Sequence, residues 1–368
     1  MAKRKGRSPI GIDLQQTSAK LVQLTYGPKG PSLAAYASAT FDDSLLQLDD
    51  RQPESIVDVL KQTLDKHEFR GRATVITLPA KKVDVRTLTL PGADADIQKM
   101  LAWEAESYLH YEVKKAAIDY VKLGDVSVGN EKRTEVLVAA TAKPYLFAVL
   151  DLLGKAGLRP EVVDIVPMAL CRLGSSMGEQ ASDGPVTLID IGRGSTITVI
   201  VNKDTLRLTR NIPRGGDDIT AKIKNGLDIS QQEAELLKIE YGAGIPNQGA
   251  SFGTDRELVT KTEVAGTIHE ILRPDLEDLA AELQKLFRYF STQSKGASVI
   301  RGYLCGGGGK LKGLAAFLSE HTGTRIEMLP ALEALCGGGG IKQQGGPCGP
   351  EYAVAAGLAL RNPADDAE

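Results

Sequence analysis

The chain has 368 residues, which at about 100–200 residues per domain is enough for two or three domains, or for one large fold with an inserted module. Hydrophobic residues make up 42% and charged residues 25%, as in folded soluble proteins, so wholesale disorder and a fibrous repeat are disfavoured. The 44 basic and 47 acidic side chains leave a net charge of -3, which argues against a dedicated nucleic-acid-binding protein.

The cysteines and the apolar runs predict the compartment. Cys171, Cys305, Cys336 and Cys348 form no CxxC pair and have no histidine at a zinc-ligand spacing, so we expect reduced structural thiols in the cytosol. No apolar run approaches the roughly 18 residues of a membrane span, and the basic start at residues 3–7 lacks the apolar stretch of a secretory signal. We interpret that start as a solvated tail, with contact to anionic lipid as the alternative.

The first 78 residues predict the order βββαβ. The predicted elements are strands over 10–14, 19–24 and 33–40, a helix over 54–69 and a strand over 74–78. Residues 79–159 change pattern, and their compact mixture of strands and helices predicts an α+β module inserted into a larger fold. The module's predicted elements are strands over 83–90, 118–123 and 134–141, a helix over 94–109 with Asp94 as N-cap, and a helix over 144–155.

The chain then returns to the larger fold. Ser230 and Glu233 form a capping box for a helix that ends at Tyr241. The other predicted elements are a strand over 161–166, a helix over 167–177, a linker at 178–184, strands over 186–191, 196–201 and 205–211, a loop at 242–253, a long helix whose apolar face spans 276–290, a strand over 299–304, a helix from about 311, a mobile glycine-rich loop at 337–349, a helix over 351–361 and an acidic tail.

An internal echo links the two halves of the chain. Residues 12–18 match residues 189–195 at a constant offset of 190 − 13 = 177, and each copy places an aspartate, Asp13 or Asp190, at the end of a buried strand before a tight turn. Such an aspartate can lie beside bound magnesium while turn amides meet phosphate oxygens, and Gly192 and Gly194 would let the second turn approach closely. The alternative is that each aspartate caps its own hairpin turn.

Three further features are candidates for function. The glycine run at 306–309 could hold a nucleobase or phosphate against the backbone, or could be a flexible turn. Glu235 and Lys238 share a helix face and could reach a ribose, or could form a solvent-side ion pair. Trp103 and Tyr108 on the module's first helix are core or rim residues by default, with an interaction surface as the alternative.

Neither an HExxH spacing nor a GxSxG elbow occurs, so the corresponding hydrolases are disfavoured.

In this order the motifs resemble those of the actin-like ATPase superfamily. The first aspartate and its turn correspond to the phosphate-1 motif, residues 190–194 to phosphate-2, residues 234–238 to the ribose motif and residues 306–311 to the adenosine motif. Within the superfamily the chain is similar to the PilM family of type IV pilus assembly proteins, relatives of FtsA, above all at residues 11–20, 103–108 and 162–170. The similarity covers roughly residues 9–362.

The resemblance implies an α/β fold, the actin-like ATPase fold, with two duplicated lobes around a nucleotide cleft and an inserted α+β 1C (SHS2-like) subdomain. The implied domains are 8–78 (first part of subdomain 1A), 79–160 (1C), 161–182 (return of 1A and connector), 183–221 (first part of 2A), 222–298 (2B) and 299–362 (return of 2A and C-terminal helix).

It also implies ATP and Mg²⁺ as ligands. The expected nucleotide-binding residues are Asp13, Gln15, Gln16, Thr17, Ser18, Lys20, Asp190, Gly192, Arg193, Gly194, Ser195, Gly215, Gly216, Glu235, Lys238, Gly306, Gly307, Gly308 and Lys310. Asp13 and Asp190 would hold the metal, directly or through water. Gln15 stands where many members have glycine, and no residue evidently positions an attacking water, so we expect at most slow ATP hydrolysis and assign no catalytic residue.

The partner implied by the resemblance is the N-terminal cytoplasmic peptide of a PilN-like inner-membrane protein, together with other pilus assembly components. The peptide would lie between the first lobe and the module, with Trp103 and Tyr108 as candidate contacts, and would hold the chain at the cytoplasmic face of the inner membrane. The alternatives are an FtsA-like filament former, expected to end in an amphipathic helix that residues 362–368 do not provide, and a small-molecule kinase, which needs a positioned base.

Overall fold

A computed structural model describes residues 6–28, 30–48, 53–91, 97–128, 131–177, 184–243, 256–332 and 348–361. The chain divides into two compact units. The first consists of Met1–Leu173, Leu332–Pro347 and Val354–Glu368, and the second of Gly174–Ala331 and Cys348–Ala353. None of the described helices combines the length and apolar character needed to cross a membrane.

The elements of the first unit include strands β1 (Gly6–Arg7), β2 (Ile10–Leu14), β3 (Ser18–Gly27), β4 (Gly30–Thr40), β5 (Ala73–Thr77), β6 (Asp84–Pro91), β7 (Ala116–Val128), β8 (Glu131–Ala142) and β9 (Arg159–Asp164). Its helices are α1 (Glu54–Lys66), α2 (Ile97–Glu106), α3 (Lys143–Lys155) and α4 (Val166–Ser176), whose last turn belongs to the second unit. The second unit contains β10 (Val186–Ile191), β11 (Thr196–Asn202), β12 (Thr205–Ile212), α5 (Gly216–Leu227), α6 (Gln231–Tyr241), α7 (Arg256–Gln293), β13 (Arg301–Cys305), α8 (Leu314–Thr322) and β14 (Arg325–Met328). Helix α9 (Ala353–Ala359) lies in the first unit from Val354 onwards.

The first unit is built on a sheet in the order β1-β3-β2-β5-β9, with β4 paired to β3. Every residue of β2 is buried, as expected for a central strand that is covered on both faces. Helix α1 buries Ile56, Leu60 and Leu64, and α3 adds Val149 and Leu152, to one apolar core with this sheet. The helices therefore form because their apolar stripes have a sheet to cover.

The module is a three-stranded antiparallel sheet in the order β6-β8-β7 with α2 on one face. Its small core joins Ile97 and Leu101 of α2 to Leu90, Val136 and Val138 of the sheet. The predicted α+β module is thus confirmed for its sheet and first helix, with strands longer than expected. The helix predicted at its end, α3, does not belong to it, because Val149 and Leu152 pack in the core of the larger sheet. Asp94, its predicted N-cap, lies outside the described residues.

The second unit has a sheet in the order β12-β11-β10-β13-β14. Its first three strands pair antiparallel, and β10, β13 and β14 pair parallel. Ile189 and Leu304 of this sheet share a core with Ile223 of α5 and with Leu272 and Leu283 of α7. The middle part of the long helix α7 therefore packs on this sheet.

The predicted internal echo is a duplicated strand arrangement. In the first unit Asp13 of β2 pairs with Lys20 of β3 on one side and with Thr77 of the parallel strand β5 on the other. In the second unit Asp190 of β10 pairs with Ile197 of β11 and with Cys305 of the parallel strand β13. The antiparallel pairs keep the same offset of 177 (190 − 13 = 197 − 20), so each unit contains the same hairpin next to a parallel strand.

Most predicted elements agree with the structure to within a few residues, and the exceptions have local causes. The helix expected from about 311 is instead a 3₁₀ turn, Gly308–Lys310, followed by α8, because Gly313 adopts a positive φ of 82° just before Leu314. The C-terminal helix begins as a 3₁₀ turn at Pro350–Tyr352. Helix α5 and strand β14 were not predicted. The expected loops at 242–253 and 337–349 and the acidic tail lie largely outside the described residues.

Helix α9 contacts the first unit's backbone through two glycines. A Cβ on Gly11 of β2 would overlap the Ala355 carbonyl oxygen and lie 2.5 Å from the Ala359 nitrogen. A Cβ on Gly357 would overlap the Ala169 carbonyl oxygen of α4. The backbones of β2, α4 and α9 therefore approach one another more closely than any larger residue allows.

We predict that Gly11→Ala destabilises the protein by about 1–3 kcal/mol, because the added methyl group meets backbone atoms that cannot rotate away. Gly154→Ala in α3 is the matched control. A Cβ there has no neighbour within 4 Å, so we expect no loss, or a gain of up to about 1 kcal/mol from helix propensity. Urea denaturation measures both, and equal stability of Gly11→Ala and the wild type would contradict the packing described.

Candidate functional site

The two duplicated hairpins close with the same turn hydrogen bond. The Gln15 backbone N–H donates to the Ser18 carbonyl at 2.8 Å, and the Gly192 N–H donates to the Ser195 carbonyl at 2.9 Å. Each turn begins two residues after its aspartate, so the sequence echo extends to hydrogen-bond geometry. The two hairpins differ in what the first turn residue carries, a glutamine side chain in one and none in the other.

The Asp13 carboxylate is buried, with 6% exposure. The Thr77 hydroxyl donates to its Oδ1 at 2.9 Å and the Gln15 side-chain amide donates to its Oδ2 at 2.8 Å. Burial raises the pKa of Asp13 above its ordinary value, although the hydrogen bonds from Gln15 and Thr77 and the charge of Lys20 oppose that shift. The Ser18 hydroxyl donates to the Gln15 side-chain oxygen Oε1 at 3.0 Å, which holds the Gln15 amide in place beside the carboxylate.

The other predicted residues of this hairpin support the turn. The carbonyls of Gln16 and Thr17 accept backbone hydrogen bonds from Leu45 and Phe41, both at 2.8 Å. The Lys20 ammonium donates to the Ser38 hydroxyl at 2.7 Å, on the neighbouring strand β4. These hydrogen bonds connect the first hairpin to β4 and to the segment that follows β4.

The turn of the second hairpin lies against the start of α5. The Gly192 carbonyl accepts from the Gly216 N–H at 2.9 Å, and the Arg193 carbonyl accepts from the Asp217 N–H at 2.8 Å. A Cβ on Gly215 would lie 2.6 Å from both carbonyl oxygens, so only glycine fits there. Gly194 and Ser195 complete the turn, and the predicted residues Gly192, Arg193, Gly215 and Gly216 therefore form one cluster.

Glu235 and Lys238 connect α6 to the first turn of α5. The Lys238 ammonium, whose side chain is 15% exposed, donates to Glu235 Oε2 at 2.6 Å and to the Thr220 hydroxyl at 2.8 Å. The Thr220 hydroxyl in turn lies 2.6 Å from the same Glu235 oxygen. Burial alone would raise the pKa of Glu235, but the hydrogen bonds from Lys238 and Thr220 outweigh it and lower that pKa. This ion pair is therefore partly buried rather than on the solvent side.

The glycine run passes over the end of β10. A Cβ on Gly306, which has a φ of 75°, would lie 2.6 Å from Asp190 Oδ1 and 2.5 Å from the Ile191 carbonyl oxygen. A Cβ on Gly308 would overlap the Ile191 side chain, whereas Gly307 has open space beside it. Lys310 forms an ion pair with Glu351. The second unit thus gathers its predicted residues at the carboxyl ends of β10 and β13.

Sequence reasoning missed three side chains here. Thr77 contacts Asp13, Thr220 contacts the ion pair of α6, and the Asp217 carboxylate pairs with Arg193 at 2.8 Å. Thr77 had a usable signal, because it ends a predicted strand and ligands in α/β sheets collect at the carboxyl ends of parallel strands. Among the described residues no group of three or more His, Cys, Asp or Glu side chains could hold a metal ion.

The first unit also contains a cavity of about 350 Å³ between the module and the parent fold. Its lining residues include Val121 and Ala139 of the module, Val163 and Met168 at β9 and α4, and Arg361 after α9. At one wall the buried Asp164 carboxylate forms ion pairs with Arg172 and with Arg361, the latter at 2.8 Å. Apolar side chains and a fixed charge cluster thus face the same space.

Trp103 and Tyr108 do not line this cavity. Trp103 is 73% exposed, and the Arg86 guanidinium lies 4.1 Å from the Tyr108 ring centre. Helix α2 packs on the sheet face formed by Val136 and Val138, whereas the cavity is lined by Leu137 and Ala139 of the same strand. Because successive residues of a strand point to opposite faces, the α2 side and the cavity are on opposite faces of the module's sheet.

Comparison with known proteins places this arrangement in a family. The family model of the type IV pilus assembly protein PilM matches residues 11–248. The chain belongs to this family. The structure of a PilM-PilN type IV pilus biogenesis complex matches the PilM-family chain with a TM-score of 0.72 and 27% identity, over 96% of this chain and 98% of that one.

More distant relatives share the fold. The cell division protein FtsA of Bacillus subtilis (strain 168) is 29% identical over 168 residues, which are 43% of this chain but 38% of that relative. FtsA of Enterococcus hirae is 20% identical over 346 residues, 87% of this chain and 77% of that protein. The ethanolamine utilization protein EutJ from Carboxydothermus hydrogenoformans aligns at a TM-score of 0.52 with 16% identity, over 97% of this chain and 90% of that one. The expected actin-like ATPase fold is confirmed.

The lowered pKa of Glu235 predicts a pH-dependent contribution to stability. A carboxyl group whose folded-state pKa is lowered stabilises the fold above its unfolded pKa of about 4.5, and this contribution is lost as the pH falls through the lowered folded value. Glu235→Gln should therefore reduce stability at pH 7 by less than about 1 kcal/mol, since the site is partly exposed, and the difference should shrink on acidification.

Glu240→Gln, an exposed position on the same helix, is the control and should change little. Urea denaturation at pH 7 and at lower pH measures both variants. A deficit of Glu235→Gln that stays constant as the pH falls would contradict the ion-pair account.

Proposed function

We propose that this PilM-family chain is a nucleotide-binding scaffold of type IV pilus assembly that captures the N-terminal cytoplasmic peptide of a PilN-like inner-membrane protein. The single observation that carries the proposal is the open cavity beside the module, in a chain whose fold matches a PilM-PilN complex along 96% of its length. Capture of a membrane protein's cytoplasmic segment holds the chain at the cytoplasmic face of the inner membrane, where other pilus components meet it.

The lining of the cavity suits an extended peptide. Val121 and Val163 both line the cavity and are each 38% exposed, which leaves apolar area there for a ligand to cover. Strands β7 and β9, which contribute these residues, are each at the end of the strand order of their sheets in the described chain. An edge strand offers backbone donors and acceptors to an added strand, so main-chain pairing supports apolar side-chain contacts.

The proposed nucleotide is ATP with Mg²⁺. Mg²⁺ is commonly held by one or two carboxylates, with substrate phosphates and water supplying the other oxygens, so a site without three protein ligands fits it. In the second unit, Asp190 would bind the metal ion, directly or through water. The turns lined by glycine would let phosphates lie close to the backbone. Glu235 would accept a hydrogen bond from a ribose hydroxyl. Mg²⁺ would neutralise phosphate charge when bound. Asp13 is the corresponding carboxylate of the first unit.

The FtsA relationship supports a shared fold rather than FtsA function. The FtsA family model matches residues 187–357, which begin after the module and within the second unit. The PilM match includes the whole module and both of the aspartate hairpins. The structural match to a PilM-PilN complex therefore supports the proposal of PilM-type partner capture.

We predict that Asp190→Ala weakens ATP binding in the presence of Mg²⁺ at least tenfold. A charge-assisted contact is worth on the order of 1.5–3 kcal/mol, and its loss is not compensated by alanine. Asp204→Ala, at the exposed turn between β11 and β12, is the control and should retain wild-type affinity. Titration of a fluorescent ATP analogue decides the matter, and unchanged affinity in folded Asp190→Ala would refute the assignment.

We predict that Val163→Asp abolishes binding of the PilN-like peptide while ATP binding is retained. The new carboxylate would be placed in the apolar part of the cavity, and desolvating it against the peptide is unfavourable. Fluorescence anisotropy of a labelled peptide measures the loss, with Trp103→Ala tested in parallel. If Trp103→Ala loses binding and Val163→Asp keeps it, the peptide binds the α2 side and the cavity assignment is wrong.

A further inference from the structure

Gln15 gives the first hairpin a side chain where the second hairpin has Gly192. Its amide nitrogen donates to Asp13 Oδ2 at 2.8 Å, and its amide oxygen accepts from the Ser18 hydroxyl at 3.0 Å. Both functional ends of the side chain are therefore engaged within the hairpin. The backbone bond from Gln15 to Ser18, at 2.8 Å, holds the turn independently of the side chain.

Each oxygen of the Asp13 carboxylate accepts a hydrogen bond from a different side chain. Thr77 donates to one oxygen and Gln15 donates to the other, and only 6% of Asp13 is exposed. Thr77 is itself buried in β5, whereas Gln15 is partly exposed. Gln15 can therefore move towards solvent without unpacking the core, and its departure would leave Oδ2 without the hydrogen bond that this oxygen now accepts.

We propose that Gln15 is a built-in brake on Mg²⁺-nucleotide binding. Its amide donates to Oδ2 of the Asp13 carboxylate, and it would turn away if a metal-bound water took its place. Because a hydrogen bond to a carboxylate is stronger than one between neutral groups, a ligand that displaces Gln15 from Oδ2 would bind more weakly by the free energy of that bond. The inference rests on the nucleotide-binding function proposed above and adds the residue that limits access of the metal to Asp13.

The test is a titration of a fluorescent ATP analogue into Gln15→Ala and Gln15→Gly, with Mg²⁺ and again with the metal removed by EDTA. Both variants should bind about tenfold more tightly than the wild type with Mg²⁺, and should match the wild type in EDTA. Alanine controls for the backbone freedom of glycine, so a gain in Gln15→Gly alone would overturn the proposal. Gln62→Ala, exposed on α1, should bind as the wild type does.

The outcomes separate this inference from the function on which it rests. If the wild type binds and Gln15→Ala binds equally or more weakly with Mg²⁺, the brake is refuted while nucleotide binding stands. If neither binds under any condition, the nucleotide assignment fails and the brake fails with it. As a second readout, NMR should show faster solvent exchange of the Gln15 side-chain amide protons once Mg²⁺-ATP is bound, and an unchanged exchange rate in the saturated complex would overturn the proposal.

Discussion

A carboxylate at the end of a buried strand is costly unless it is hydrogen-bonded, and the first unit of this chain meets that cost at Asp13. In the first unit the neighbouring parallel strand supplies the Thr77 hydroxyl and the turn supplies Gln15. In the second unit the glycine run passes so close to Asp190 that a Cβ on Gly306 would lie 2.6 Å from its carboxylate. The same strand arrangement thus carries two different surroundings, one closed by a side chain and one formed by backbone.

In the second unit, hydrogen bonds join the segments that carry residues 234–238 and the glycine run at 306–309. The backbone of α5 is bonded to the Gly192 and Arg193 carbonyls, and Lys238 of α6 is bonded to Thr220 of α5. The end of α6 is joined in turn to the segment after the glycine run, where the Ala243 N–H donates to the Lys312 carbonyl at 2.9 Å. Hydrogen bonds therefore join these segments of the second unit to one another.

Local patterns in the sequence predicted the two hairpins well. They did not predict which distant strands pair with each other. Strands β2 and β10 have the predicted bounds, because alternating apolar residues and an aspartate before a turn are local signals. Thr77 acquires its role only because β5 pairs with β2, which no local pattern reveals. Helix α5 was not predicted, since Thr220 and Ile223 are its only buried residues and its surface is strongly charged. The position of the cavity depends on which face of β8 is covered by α2. The alternation of residues along β8 shows that the strand has two faces but does not show which of them α2 covers.

Hydrogen–deuterium exchange of the full chain with and without Mg²⁺-ATP tests most directly the central claim, that the clustered motifs form a nucleotide site. The account predicts slower amide exchange in the turn at 192–195, in the first turn of α5 and in the glycine run at 306–309, with little change in the exposed outer strand β12. Protection confined to other segments, or no protection at saturating nucleotide, would contradict it.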